Sequence, residues 1–544
     1  MSERIVSGEP VSGRVPESFS PPVQRHFRRE LVFGFVAPLG VDKPKVLEAF
    51  KSSVKDAKYR FVAVDSSELL EAYRIGPKNR NEGFLDRKRA LMDAGDALRA
   101  AWAQYGEKRG DAVAIAAVAS IQDHRSTINA ERGMDKRKAE QTPAAEVVYL
   151  VDSLKHPHEL ETLRRLYGPA FIAIGLYAPP KKRENYLLAR ARGEEILVRE
   201  LLSRDDRDRK ELGQRVSDAF YICDFIVDAT KSDTKIEASL KRLFRLVLGD
   251  PHTTPTRDEL GMFLARAAQV RSGSLARQIG ASILRDDGSV VSVGTNEVAK
   301  PRIGGQYWAS DDAKYRGRDR VYRLRDTSDE FRADMVSDAL DRLAESGALA
   351  ACYTALPSDQ RLDQLYFDDA APLRKSKIKD NIDYIRAVHA EGAAIIDAAR
   401  HGVSARGSTM YATAFPCHEC ARHIVAAGIR KVVYLAPYPK SGVTKLYADS
   451  IQVDPDERLK RKVLFRTFRG VAPPRFLDFF SVGEDERKAR DGSPKEFEIE
   501  VAAPQLPYYT PDNFEVIFDE LRLVTPFADV VRPNRTVQQN PSAS

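Results

Sequence analysis

Apolar residues in this chain fall into short unbroken runs, separated by stretches in which they return every three or four positions. ELVFGFVAPLG (30–40) predicts a buried strand ending in a Gly/Pro turn, and VDKPKVLEAFKSSV after it has the apolar spacing of an amphipathic helix. Further apolar runs at 59–64, 112–121, 146–151, 170–177 and 222–227, with helical patterns between them, predict strands alternating with helices, hence a parallel α/β sheet. Pro, Thr and His cluster in GDPHTTPTRDE (249–259), which predicts a boundary before a new helix beginning around Asp258.

The pattern beyond that boundary is different. The helix DELGMFLARAAQVRS leads into IGASILRDDGSVVSVGTNEV, two strands joined by a DDG turn. A long charged stretch, roughly 300–385, reads as an insertion containing an amphipathic helix around SDEFRADMVSDALDRLAESG. Then come a helix over 383–402, a strand over 408–415, a helix over 417–428 and a strand over 431–438. No internal repeat is evident. The expected organisation is a disordered tail over 1–28, a first domain over 29–250, a second over 251–525, and a disordered tail over 526–544.

Composition narrows the class. A chain of 544 residues exceeds what one core holds, and its 43% hydrophobic and 30% charged residues are ordinary for a globular protein. The net charge of +7 suits anionic ligands such as nucleotides without requiring a polynucleotide. Four cysteines are too few for a disulfide scaffold, and the polar, Pro/Ser-rich start has no apolar signal core. No apolar run approaches the ~20 residues that span a bilayer. These features predict a cytoplasmic protein with no membrane partner.

The chemistry concentrates in PCHEC (416–420). Cys417 and Cys420 stand one helical turn apart after Pro416, which suits a first helical turn, so both sulfurs can meet one metal ion. A catalytic zinc usually takes three protein ligands, and His389 in HAE, 28 residues before Cys417, supplies the third. With Glu391 two residues on, the set reproduces the H-x-E and P-C-x-x-C signature of zinc nucleobase deaminases. One Zn2+ per chain, held by His389, Cys417 and Cys420, would lower the pKa of water, and Glu391, kept off the metal, would carry protons. His418 and His423 are rival ligands on paper, but His418 faces away from the cysteine stripe, and His423, a turn farther on, would only close the site.

From about 257 to 442 the chain resembles the cytidine and deoxycytidylate deaminase superfamily, in RSGSLARQIGASILRDDGSVVSVGTNE, HAEGAAI and FPCHECARHIVAAGIRKVVYLAPYPKS. The resemblance implies that Asn296 contacts the sugar of a nucleotide, although Asn is also an ordinary turn residue. In KPRIGGQYW it implies a loop beside the substrate, where Gly304 and Gly305 admit phosphate to the backbone and Trp308 packs nearby; a plain surface loop is the other reading.

Resemblance over almost the whole chain, including 153–168, 213–230 and 466–480, is to the bacterial anti-phage dCTP/dCMP deaminase family. It implies an α/β fold in which an N-terminal P-loop-kinase-like parallel-sheet domain precedes a C-terminal α/β/α cytidine-deaminase-like domain. It also implies deamination of deoxycytidine nucleotides to starve a phage of precursors. The phosphate loop is degenerate: APLGVDKP keeps Gly40 and Lys43, but Ala37 and Asp42 replace glycines and Pro44 replaces the magnesium hydroxyl. A nucleotide sensor or a scaffold fits it better than an ATPase. The basic stretches 181–195 and 203–210 read either as a phosphate-binding lid or as solvated helical faces. A homo-oligomer is expected, as is control by a nucleotide, an RNA or a protein inhibitor. Housekeeping dCMP deamination for thymidylate supply and polynucleotide cytosine deamination are the competing activities; a binding protein with a vestigial deaminase domain is the non-enzymatic alternative.

Overall fold

The computed structural model describes residues 30–72, 83–105, 109–191, 193–208, 210, 212–311, 317–374, 376–381, 384–438, 441–455, 459–483, 486–504 and 514–531. The expected tail over 1–28 and residues 532–544 lie outside the described residues.

Strands β1 (Leu31–Val36), β2 (Arg60–Val64), β3 (Val147–Val151), β4 (Phe171–Tyr177) and β5 (Phe225–Asp228) form a parallel sheet in the order β2-β3-β1-β4-β5. All residues of β1 and β3 are buried, as expected of central strands covered by helices on both faces. On one face Phe33 meets Phe50 of the helix Lys43–Asp56 and Phe244 of the helix Asp233–Val247, with ring centroids 5.1 and 5.3 Å away. The helices Ala112–Glu131 and Pro157–Tyr167 cover the other face.

The apolar run at 112–121 is therefore a helix, not the strand its composition suggested. Its residues Ala112–Val118 are all buried, so no polar stripe marks a period, and Ala, the strongest helix former, decides the outcome.

The second sheet is mixed. β6 (Gly280–Leu284) and β7 (Val290–Thr295) form the expected hairpin, and β8 (Glu297–Val298) pairs with β9 (Ala387–Val388) in a separate two-stranded ribbon. Next to β6 run β10 (Thr409–Ala414), β11 (Lys431–Ala436), β13 (Val463–Thr467) and β12 (Ile451–Val453), parallel to one another. The chain leaves for the insertion at β8 and returns at β9. Between them Val336, Leu340, Leu365 and Tyr366 build a small separate core.

The two sheets interlock. β14 (Gly470–Val471), late in the chain, pairs antiparallel with β5 and completes the first sheet. A single buried cluster joins Val32 and Ala114 on the first sheet's side to Met262, Tyr411, Val433 and Phe468 on the second's. The helix Phe514–Val530 also returns to the helices of the first sheet. There Arg125, fully buried, binds Glu520 at 2.7 and 2.9 Å and Glu30 at 2.7 and 3.1 Å. Phe527 of the same helix is buried against Trp102, so the tail expected from 526 is helical as far as Val530.

Candidate metal centre and the cavities around it

The helix expected over 383–402 starts only at Ala390, because β9 occupies Ala387–Val388 and His389 is the N-cap with extended backbone. That placement turns the imidazole toward the next helix, His418–Ala426, whose N-cap is Cys417. Pro416 accordingly lies just outside the helix. The Cys417 sulfur accepts the Cys420 N–H at 3.4 Å, satisfying an orphan donor of the first turn. Ser441 Oγ donates to the Pro416 carbonyl at 2.8 Å and steadies the turn from outside.

His389 Nδ1 lies 3.2 Å from Cys417 Sγ and 3.4 Å from Cys420 Sγ. One ligand atom from each of the three residues falls within 4.8 Å of the others. One nitrogen and two sulfur donors around a common point fit zinc. The hydrogen bond from Cys420, and then His389, hold the Cys417 thiol below its ordinary value, while the bond to Cys417 and burial push Cys420 up. Contact with Cys417 raises His389.

Glu391, 4% exposed, sits in the first turn after His389, and its Oε2 accepts from the Cys420 thiol at 3.3 Å. Burial, and then the negative Cys417, raise its carboxyl above the ordinary range against the pull of His389. A carboxyl so raised, beside the three donors, is placed to hold and release a proton.

These groups open into a cavity of about 160 Å³ at the carboxyl ends of β10 and β11, where ligands commonly bind in parallel sheets. Asn296 lines it. Its Oδ1 accepts the Ile279 N–H at 2.7 Å and its Nδ2 donates to the Arg277 carbonyl at 2.9 Å, which leaves one donor hydrogen and one lone pair. Phe415 and Tyr438 form an aromatic wall, and Ser274 and Arg277 stand at the rim. The sequence reading passed over these four. A Pro-flanked aromatic immediately after a parallel strand, as in APYP (436–439), was the available signal for Tyr438.

Gly304, Gly305 and Trp308 do not reach this cavity. They line another, of about 490 Å³, against Ala393, Ile396, Asp397 and Arg400 on a different stripe of the helix Ala390–Arg400. Both glycines have positive φ, +69° and +73°, and pack on the Arg400 side chain, while Arg271 stacks 3.8 Å over the half-exposed Trp308. Gly40 and Lys43 stand in the turn after β1. Gly40 has φ +85°, and a Cβ there would lie 2.5 Å from the Arg183 carbonyl oxygen; Lys43 is ion-paired with Asp152.

Residues 255–436 match the cytidine and deoxycytidylate deaminase zinc-binding region. The chain is 50% identical over 54 residues to the deoxycytidylate deaminase of Enterobacteria phage T2, a match covering 10% of this chain and 29% of that protein. It is 32% identical over 111 residues to the Homo sapiens deoxycytidylate deaminase, covering 20% and 54%. The chain thus spans between about a quarter and about half the length of the curated relatives it matches. Among solved structures, the dCMP deaminase of cyanophage S-TIM5 in complex with dCMP and dUMP is 15% identical, with 40% of this chain and 99% of that chain covered and a TM-score of 0.21. The second half of the chain carries a deoxycytidylate-deaminase-type domain. Among the described residues no helix is long and apolar enough to cross a membrane.

Proposed function

We propose that the protein is a zinc-dependent hydrolase that converts deoxycytidine nucleotides, dCTP, dCMP or both, to deoxyuridine nucleotides and ammonia. The observation that carries this is the convergence of His389, Cys417 and Cys420 with the buried Glu391 beside them. Zinc held by the three, when bound, supplies a water acidic enough to attack at neutral pH. Glu391 would be the group that holds and moves protons, between water, the ring N3 and the departing ammonia. Phe415 and Tyr438 hold the base flat, and Asn296 turns its remaining donor and acceptor toward the sugar. A cavity of about 160 Å³ suits a single pyrimidine and its sugar.

Ammonia release from zinc-analysed protein, offered dCMP, dCTP, CMP, CTP and single-stranded DNA beside Glu391→Ala, tests the reading. Turnover of deoxynucleotides, lost in the variant, supports it; turnover of DNA alone supports the polynucleotide alternative. No turnover with one zinc per chain overturns it. We read the biological use as depletion of deoxycytidine nucleotides during phage infection, with the first domain a degenerate kinase-like module. Equal phage plating on cells expressing wild type and Glu391→Ala would overturn that use while leaving the chemistry standing.

A further inference from the structure

The turn after β1 opens onto a third cavity, of about 250 Å³, which the deaminase chemistry does not use. Lys43, Lys88, Lys155 and Arg99 line it, against only Glu159 and Asp205 among its acidic residues. Lys88 has no carboxylate partner among the described residues; its ammonium lies 5.7 Å over the Phe84 ring. Lys43 and Lys155 retain spare N–H donors, since one is paired with Asp152 and the other with Asp205 and the Ala37 carbonyl. Gln214, 6% exposed, also lines the cavity, and its Oε1 is buried without a hydrogen-bond partner. An orphaned buried acceptor normally has a ligand or water to meet. Leu70, Leu91, Met92 and Val113 complete an apolar wall.

The phosphate-loop turn itself is closed from within. Asp205, fully buried, accepts the Leu39 N–H at 2.6 Å and the Lys155 ammonium at 2.8 Å, so a carboxylate already stands where the loop would receive an anion. Pro44 offers no hydroxyl to a magnesium ion. The volume lies below the ~300–1,000 Å³ of ordinary ligand pockets, which favours a compact ligand.

From this arrangement we infer that the cavity binds a nucleoside monophosphate, its phosphate on Lys43, Lys88 and Lys155 and a base N–H on Gln214, without phosphoryl transfer. Burial first, and then Lys43 and Lys155, hold the Lys88 ammonium below its ordinary value, so an anion bound there relieves like-charge repulsion. The inference is independent of the metal cavity.

Equilibrium dialysis of the zinc-loaded full chain with dTMP, dAMP, dGMP, ATP and inorganic phosphate tests it. We expect at least one monophosphate to bind at one per chain. Its affinity should exceed those of ATP and inorganic phosphate at least tenfold and fall at least tenfold in Lys88→Ala. That substitution removes a half-buried side chain with no ion pair among the described residues, and an unchanged unliganded melting temperature shows that it folds. Gln214→Leu should change which base binds best. The proposal is overturned if no monophosphate binds, if Lys88→Ala binds equally well, if inorganic phosphate binds as tightly as the nucleotide, or if ATP binds more tightly and is hydrolysed.

Discussion

In the turn between β1 and the helix Lys43–Asp56, a loop N–H and two ammonium groups are taken up by Asp205 and Asp152 of the same chain. At the carboxyl ends of β10 and β11, by contrast, His389, Cys417 and Cys420 face one another across a few ångströms with Glu391 alongside. The first arrangement satisfies its polar groups internally and gains stability from them. The second gathers a carboxyl and two sulfurs in a buried site, where the negative Cys417 raises Glu391 and a bound cation would relieve that repulsion. Burial of a carboxyl beside a thiolate costs free energy that only a bound ion or a reaction makes useful. The phosphate-loop turn is built as structure and the metal centre as chemistry.

Substitutions can break or sharpen that contrast. Glu391→Ala should lower kcat by about 10²–10⁴-fold or more, with zinc content and melting temperature unchanged, as a group acting on protons requires. A loss of zinc alongside turnover would make Glu391 a ligand instead. Asp205→Ala should destabilise the protein by about 1–3 kcal/mol in denaturant unfolding, because the Leu39 N–H loses its acceptor and Lys155 keeps only the Ala37 carbonyl. A stable variant would show that the turn is not held by its own carboxylate. Gly40→Ala should cost about 1–3 kcal/mol, since φ +85° and the Arg183 carbonyl oppose any Cβ. An effect near zero means that the loop shifts freely.

The smallest effect concerns Asp258, which accepts from Tyr411 at 2.8 Å and Lys431 at 3.1 Å and is paired with Arg466. Burial pushes its carboxyl up, but Arg466, Lys431 and Tyr411 outweigh that and hold it below the ordinary value. Its stabilisation is therefore present above the unfolded-state pKa of about 3.9 and lost as pH falls through the lower folded value. Asp258→Asn should cost on the order of 1 kcal/mol at neutral pH and flatten the acid side of the melting-temperature profile. An unaltered acid limb would assign the pH dependence elsewhere.

How much of this was legible in the sequence follows from how local each cause is. HAE and PCHEC announce the metal centre because its donors sit at fixed places on two helix starts; the strand-helix alternation gives the parallel strands of the first sheet, and the DDG turn with two later apolar runs gives four strands of the second, but β12, β13 and β14 carry no such signal. Local signals misjudge 112–121, where burial on all sides erases the period, and the start of the helix at Ala390, set by pairing between β8 and β9. Nothing near APLGVDKP reveals that its anion comes from Asp205, 166 residues from Leu39. Gly304, Gly305 and Trp308 follow Asn296 closely in sequence, yet the helix Ala390–Arg400 separates their cavity from the metal. Such placements belong to tertiary packing.

The edge strand β14 and the helix Phe514–Val530 have a consequence for synthesis. A ribosome releases Glu30 and Arg125 long before Glu520, and β5 long before Gly470 and Val471. The first sheet therefore waits with an open edge, and the Arg125–Glu30 pair waits for its second carboxylate, until nearly all the described chain has emerged. A nonsense mutation before Gly470 thus removes both the edge strand and the second carboxylate, and one between Val471 and Phe514 removes the carboxylate alone.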